Sequence, residues 1–152
     1  MSPTEVLVCV LALLGSEARN LPPIELVDVR PADASPTVEG FVREGSDRIY
    51  LVTSSPVFRD AVGTDRFNAD SGPFIKLASI VMHEAWHLRH GTDERGAYDR
   101  QLMTLSRLGA GPGTLLHRSV YRSMLAVLKA QKVPKQPPFV PDTPVRVAAL
   151  LP

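Results

Sequence analysis

Residues 83–87 form the stretch His83-Glu84-Ala85-Trp86-His87, an HExxH motif that indicates how the chain folds around one site. Successive residues of an α-helix are about 100° apart, so side chains at i and i+4 project from the same face, about 6 Å apart. The two imidazoles can therefore bind one ion, with Glu84 at the flank of their face. This is the layout of a zinc hydrolase site, in which the glutamate takes a proton from a metal-bound water.

The residues around the motif predict a helix over residues 73–90. Ser71 and Pro73 supply a capping residue and an early proline, and Gly91 supplies a stop. Apolar residues recur at helical spacing between these signals. They are Phe74, Leu77, Ala78, Val81, Ala85 and Leu88. The motif therefore lies on a helix that packs on one side and faces a cleft on the other.

A third ligand must come from beyond the end of this helix. On a straight continuation, Glu94 would lie about 16 Å along the axis from His83. If Thr92 caps a second helix that begins at Asp93, the chain can return a carboxylate to the ion. Glu94 has the longer reach and Asp93 is the alternative. His90 is interpreted as a helix-end cap or supporting residue, because three ligands on one straight helix cannot surround an ion tetrahedrally.

The second helix opens with a string that carries a family resemblance: Glu94-Arg95-Gly96-Ala97-Tyr98-Asp99-Arg100-Gln101. HExxH followed by ExxAYxxQ resembles the small zinc metallopeptidases of the zincin class, gluzincin-like and of bacterial type, over residues 83–101. The resemblance implies that His83, His87 and Glu94 bind Zn²⁺ and that Glu84 is the general base. Familiar gluzincins place the third ligand much farther downstream. A metzincin-like pattern would end at Asp93, but His90 stands where that pattern requires glycine.

The chemistry expected of such a site is hydrolysis of a peptide or protein substrate. Three protein ligands leave one zinc position for water, whose pKa falls towards about 7, and Glu84 would pass its proton to the leaving amine. A donor for the developing oxyanion is also expected. Tyr98, one turn after Glu94, is the nearest candidate, although a tyrosine at helical spacing with leucines is also typical of core packing. The other candidates are Tyr121, His117 and nearby arginines.

The rest of the chain predicts an α+β fold, a minimal zincin-like domain over residues 1–133. A small β-sheet or hairpin would pack on the HExxH helix and on further C-terminal helices. The β-prone runs are residues 24–29, 38–43 and 49–53, and residues 44–47 predict a hairpin turn between the last two. We expect residues 49–53 to be the edge strand that borders the cleft and pairs with an extended substrate. A buried central strand is the alternative.

Two further helices are predicted after the motif. The second helix should end at Gly109, and a third, capped by Thr114, carries an apolar face. That face consists of Leu116, Val120, Met124, Val127 and Leu128. Repeated prolines predict an extended or disordered tail over residues 134–152. Trp86 and Cys9 are interpreted as core residues.

Composition limits the partners and the location. The chain has 152 residues, enough for one compact domain, and 17 Lys+Arg against 16 Asp+Glu, so no long-range field favours nucleic acid. The apolar run over residues 6–14 is shorter than the roughly 18–20 residues that span a bilayer, so no stable membrane insertion is expected. We interpret it as a domain helix in a cytoplasmic protein. A signal segment over residues 1–15, with a secreted or periplasmic product, is the alternative. The oligomeric state is left open.

Two functional hypotheses follow from the sequence. The first is a zinc-dependent metallopeptidase in which Glu84 is essential for turnover and dispensable for metal binding. The second is a non-catalytic binding domain, metal-stabilised or metal-free, with a coincidental HExxH. Replacement of Glu84 by glutamine separates them, because only the first hypothesis requires the carboxylate.

Overall fold

A computed structural model describes residues 1–132 of the chain, and these residues form an α+β arrangement. The predicted α+β class is therefore confirmed, while the predicted tail, residues 134–152, lies outside the described residues. A 3₁₀ segment, Gly15–Asn20, follows the first helix. The elements within residues 1–132 are α1 (Pro3–Leu14), β1 (Ile24–Val27), β2 (Gly40–Val42), β3 (Ile49–Val52), α2 (Pro56–Val62), α3 (Gly72–His90), α4 (Glu94–Arg107) and α5 (Leu115–Lys132).

The N-terminal apolar run forms α1, as predicted for a domain helix. Ser2 and Glu5 make a capping box at its start, each side chain bonded to the other's backbone N–H. Val6, Val10 and Leu14 recur at i, i+4 and i+8 and are fully buried in the main hydrophobic cluster. Burial of an aliphatic side chain contributes about 1.5–3 kcal/mol, so this face anchors α1 to the domain. No helix within residues 1–132 combines the length and apolar character needed to cross a membrane.

The sheet has the strand order β1-β3-β2, with β1 parallel and β2 antiparallel to β3. The predicted hairpin is confirmed: its turn joins β2 to β3 and contains Gly45 at φ 75°, a conformation that favours glycine. The expectation that residues 49–53 form the edge strand is wrong. β3 pairs on both sides and its Ile49, Leu51 and Val52 are fully buried, so β1 and β2 are the edge strands, and β2 is the one that lies beside α3.

Helix α3 packs across the inner face of the sheet, and β2 can approach it only because position 40 is glycine. A Cβ on Gly40 would lie 2.9 Å from Ile80 Cγ2 and 3.3 Å from Leu51 Cδ2. Both distances are shorter than an ordinary van der Waals contact. The close contact holds the β2 edge beside the helix that carries the HExxH motif.

Helix α2 was not predicted from the sequence. It begins at Pro56, a residue favoured in the first helical turn, and buries Val57, Phe58 and Ala61. Their i, i+1, i+4 spacing was the available signal, but the helix has only seven residues. So short a segment falls below the length at which helical periodicity is distinctive.

The C-terminal helices pack in series, α4 on α3 and α5 on α4. Gly109 at φ 96° follows α4, and the Thr114 Oγ accepts a hydrogen bond from the His117 backbone N–H at 3.2 Å at the start of α5. The predicted end of α4 and cap of α5 are thus confirmed. A second hydrophobic cluster joins these helices through Ile75, Leu105, Ala110 and Val120.

Candidate metal centre

The last turns of α3 and the first turn of α4 bring together the three predicted ligands, His83, His87 and Glu94. Each offers one donor atom within 4.8 Å of the other two, so this cluster could hold a metal ion. Gly91 makes the return possible by ending α3 at φ 65°. The predicted N-cap of the next helix was wrong by one residue: Asp93 rather than Thr92 is the cap, and α4 begins at Glu94.

The donor atoms of the cluster converge on one point. The two imidazole Nε2 atoms are 3.2 Å apart. The Glu94 carboxylate lies with Oε2 at 3.5 Å from His83 Nε2 and Oε1 at 3.4 Å from His87 Nε2. One carboxylate oxygen therefore faces each imidazole.

The tautomer of His87 is set by the helix end. Its Nδ1 lies 2.7 Å from the carbonyl oxygen of Gly91. A carbonyl oxygen can only accept, so Nδ1 carries a hydrogen and donates it. In the neutral ring, the lone pair is then on Nε2, the atom that faces Glu94.

The tautomer of His83 is set by a chain of three hydrogen bonds. The Ser79 hydroxyl donates to the Lys76 carbonyl at 2.7 Å, so its oxygen is left to accept from Gln101 Nε2 at 3.3 Å. This turns Gln101 Oε1 towards His83 Nδ1, at 2.9 Å, and the ring nitrogen must donate to it. His83, like His87, therefore presents the Nε2 lone pair to the cluster.

This donor set fits a zinc ion. Catalytic zinc sites commonly use two imidazole nitrogens and one carboxylate and leave a fourth position open. Ligating histidines also almost always donate their second ring N–H to a carbonyl or carboxylate, which fixes the ring and raises its basicity. Gln101 and the Gly91 carbonyl provide these acceptors for both rings.

In the absence of a metal ion, a proton neutralises the cluster. The hydrogen bond to Glu94 raises the pKa of His87 to about 9, with a further contribution from the bond to the Gly91 carbonyl, and burial opposes it. Hydrogen bonds from His83 and His87 lower the pKa of Glu94 to about 2. At neutral pH, the metal-free cluster therefore holds a protonated His87 beside an ionised Glu94.

Glu84 lies beside this cluster as a nearly buried carboxylate that lines the cavity. It is 9% exposed, and burial raises its pKa, against the lowering effect of the two histidines. A carboxylate with a raised pKa is a stronger proton acceptor than one in water. Glu84 is therefore a candidate proton acceptor beside the cluster.

The cluster opens into a cavity of about 960 Å³. Its walls are the β2 edge with its flanking residues 38–46, the histidine face of α3, and Ser119, Ser123 and Val127 of α5. Tyr98 also lines the cavity, and its ring packs edge to face on His83 with the centroids 4.7 Å apart. Burial raises the pKa of Tyr98, so its phenol stays protonated and able to donate at neutral pH.

Asp93, the alternative ligand, and His90, the predicted cap or supporting residue, lie outside the cluster. Asp93 Oδ1 accepts from the Gly96 N–H at 3.0 Å and Oδ2 accepts from Trp86 Nε1 at 3.2 Å, bonds that lower the pKa of Asp93. His90 donates from Nδ1 to the Trp86 carbonyl at 3.2 Å, a contact within the last turns of α3 that leaves this histidine outside the cluster. Trp86 is only half-buried and stacks on His90, so its assignment to the core was wrong.

Two of the predicted oxyanion donors are elsewhere in the molecule. His117 and Tyr121 line a separate depression of about 320 Å³ with Arg118 and Arg122 on α5, so the structure does not bring them to the cluster. Among the arginines, Arg43 lines the main cavity, with its guanidinium over the rings of Phe41 and Tyr50 at 5.5 and 5.6 Å.

Gln101 is the residue of the site to which the sequence assigned no role. It lies seven residues after Glu94 on α4, so both project from the same helix face. That spacing was the signal, although only the fold shows that the face meets His83.

No family model, curated protein or solved structure matches the chain.

Proposed function

We propose that this protein is a zinc-dependent metallopeptidase of zincin-like architecture. The observation that carries the proposal is the convergence of His83, His87 and Glu94, with both histidines held by Nδ1 acceptors so that each Nε2 faces the same point. The nearly buried Glu84 carboxylate, which lines the adjoining cavity, supports a catalytic over a purely structural ion.

The residues of the cavity divide the chemistry of amide hydrolysis among them. Bound zinc would supply a Lewis acid that polarises the scissile carbonyl and lowers the pKa of a water. Glu84 accepts the proton of the attacking water and passes it to the leaving amine. The Tyr98 phenol, beside His83, is the donor for the developing oxyanion.

The β2 edge supports an extended polypeptide as substrate. The Val52 N–H donates to the Glu39 carbonyl at 3.0 Å, so residues 39 and 52 form a hydrogen-bonded pair of the antiparallel ladder. Pairs alternate along the ladder, so Gly40 and Val42 turn their N–H and C=O groups to the open edge. A substrate strand can add to this edge and lie between β2 and α5.

The test combines zinc content with hydrolysis of a mixed library of internally quenched peptides. Glu84→Gln is expected to bind one zinc per chain, as in the wild type, and to lose about 10²–10⁴-fold in turnover. His87→Ala should lose both zinc and turnover. Glu25→Gln, which removes a carboxylate from a surface ion pair with Arg48 on the sheet, is the matched control and should change neither.

Equal rates for Glu84→Gln and the wild type would contradict the proposal, as would wild-type protein that stays free of zinc at saturating metal. A wild type that binds zinc and cleaves no peptide of the library would favour the second hypothesis, a metal-stabilised binding domain.

A further inference from the structure

The turn between α3 and α4 is crosslinked by a hydrogen bond from Trp86 Nε1 to Asp93 Oδ2 at 3.2 Å, here called the Trp86–Asp93 clasp. Trp86 directly precedes His87, and Asp93 directly precedes Glu94. The clasp therefore joins the chain neighbours of two predicted ligands that lie on different helices. Neither clasp residue belongs to the ligand cluster itself.

The neighbours of the clasp restrict the movement of both partners. Asp93 uses its other oxygen to cap α4 at the Gly96 N–H, so one carboxylate holds the start of α4 and the indole together. The Trp86 ring stacks on His90 with the centroids 3.8 Å apart. The indole also packs against Gly96. A Cβ added to Gly96 would lie 2.6 Å from Trp86 Nε1 and would also overlap Asp93.

This restraint matters because Glu94 reaches the histidines only through the turn. A ligand at the first residue of a helix moves with the helix end, and a shift of about 1 Å is enough to disturb a metal site built to close tolerances. The Gly91 hydrogen bonds fix the end of α3, and the clasp fixes the start of α4 relative to it.

We propose that Trp86, Asp93 and Gly96 are positioning residues that hold Glu94 against His83 and His87, so that the clasp sets the zinc affinity of the site. The inference rests on the metal site of the proposed function and does not depend on peptide hydrolysis. Asp93, the alternative third ligand on sequence grounds, thus acts on the site by positioning Glu94.

Two variants break the clasp and leave the rest of the turn intact. Trp86→Phe keeps an aromatic ring and removes the N–H donor. Asp93→Ser keeps a good N-cap and is too short to reach the indole. Each is expected to weaken zinc binding about tenfold, measured by competition with a chromophoric chelator. The double variant should be no weaker than either single variant, because both remove the same bond.

Cobalt(II) and the metal-free protein provide the second readout. The visible spectrum of the cobalt form should change in both single variants, since it reports the arrangement of the ligands, while circular dichroism of the metal-free proteins shows that they fold. Arg95→Ala is the matched control: it breaks an exposed pair with Asp99 on the first turn of α4 and should leave affinity and spectrum unchanged.

Zinc affinity within twofold of the wild type in both single variants would overturn the inference, and a loss of stability without a loss of affinity would reduce the clasp to a structural role. Complete loss of zinc in Asp93→Ser with normal binding in Trp86→Phe would instead make Asp93 a ligand. A wild type that binds no metal refutes the proposed function and this inference together. A wild type that binds zinc without cleaving peptides refutes only the proposed function.

Discussion

The Nε2 atom of His87 cannot hold a proton and a metal ion at once. Because Glu94 raises the pKa of His87 to about 9, the imidazole is almost fully charged in the metal-free protein at pH 6.5. Its Nδ1 hydrogen is engaged by the Gly91 carbonyl, so the proton that must leave is the one on Nε2. Zinc binding should therefore release a proton from His87 at pH 6.5, a pH at which an ordinary histidine is only about half protonated.

The expected magnitude is about one proton from His87 per zinc bound at pH 6.5. The pH is chosen below the value of about 7 to which zinc brings the pKa of a bound water, so that ionisation of the water adds little. Between pH 6.5 and about 9, this single group should strengthen apparent zinc affinity about tenfold per pH unit.

Isothermal titration calorimetry in buffers with different ionisation enthalpies measures the release directly. The slope of the observed enthalpy against the buffer's ionisation enthalpy is the number of protons exchanged. His117→Ala, on α5 and outside the cavity, is the matched control and should give the wild-type slope. Stoichiometric zinc binding with a slope below about 0.3 would refute the reasoning, because it would mean that His87 is neutral or is not a ligand.

Three further predictions concern the support of the site and its stability. Gln101→Leu should weaken zinc binding about 10–100-fold in chelator competition, because His83 Nδ1 loses its acceptor, whereas Gln131→Leu on the exposed face of α5 should not. Gly40→Ala should lower the free energy of unfolding in urea by about 1–3 kcal/mol through overpacking against Ile80, and Gly111→Ala, which meets open space, should be near neutral. In the metal-free protein the pair of His87 and Glu94 should stabilise most between about pH 4.5 and 6.5, by about 1 kcal/mol after solvent screening. The contribution of Glu94 is lost as the pH falls through about 2, and the contribution of His87 is lost as the pH rises through about 9. His87→Ala should therefore flatten the high-pH side of a plot of Tm against pH.

The helices that build the site were predictable because their signals are local. Apolar residues at 3.6-residue spacing, Pro73 near the start and Gly91 at the end define α3 to within one residue of its observed bounds. Thr114 likewise marks the start of α5. The strand order was not predictable in the same way. Short apolar strands show which residues alternate but not which strand pairs on both sides, so β3 was mistaken for the edge.

The choice between Asp93 and Glu94 shows where sequence spacing stops being informative. Both carboxylates follow the helix stop within three residues, and reach alone favours Glu94. Asp93 is committed twice, to the Gly96 N–H and to the Trp86 indole, and a carboxylate so engaged is not available to an ion. The helix cap at Asp93 thus leaves Glu94 as the carboxylate of the cluster. The Trp86 contact to Asp93 depends on how α4 returns to α3, which sequence spacing does not show.

The two histidines themselves argue for a cation in this cluster. Gly91 and Gln101 each require an N–H at Nδ1, so two neutral rings would face each other with lone pairs on Nε2 at 3.2 Å. That arrangement is repulsive unless a proton or a metal ion lies between the nitrogens, and Glu94 supplies the compensating negative charge. A hydrophobic core with an incidental HExxH has no need to fix both tautomers in this sense. The hydrogen bonds remote from the cluster, at Nδ1, are therefore the feature that favours a binding site over a chance motif. Weaker zinc binding after removal of the Gln101 acceptor is a result that a metal-free domain would not give.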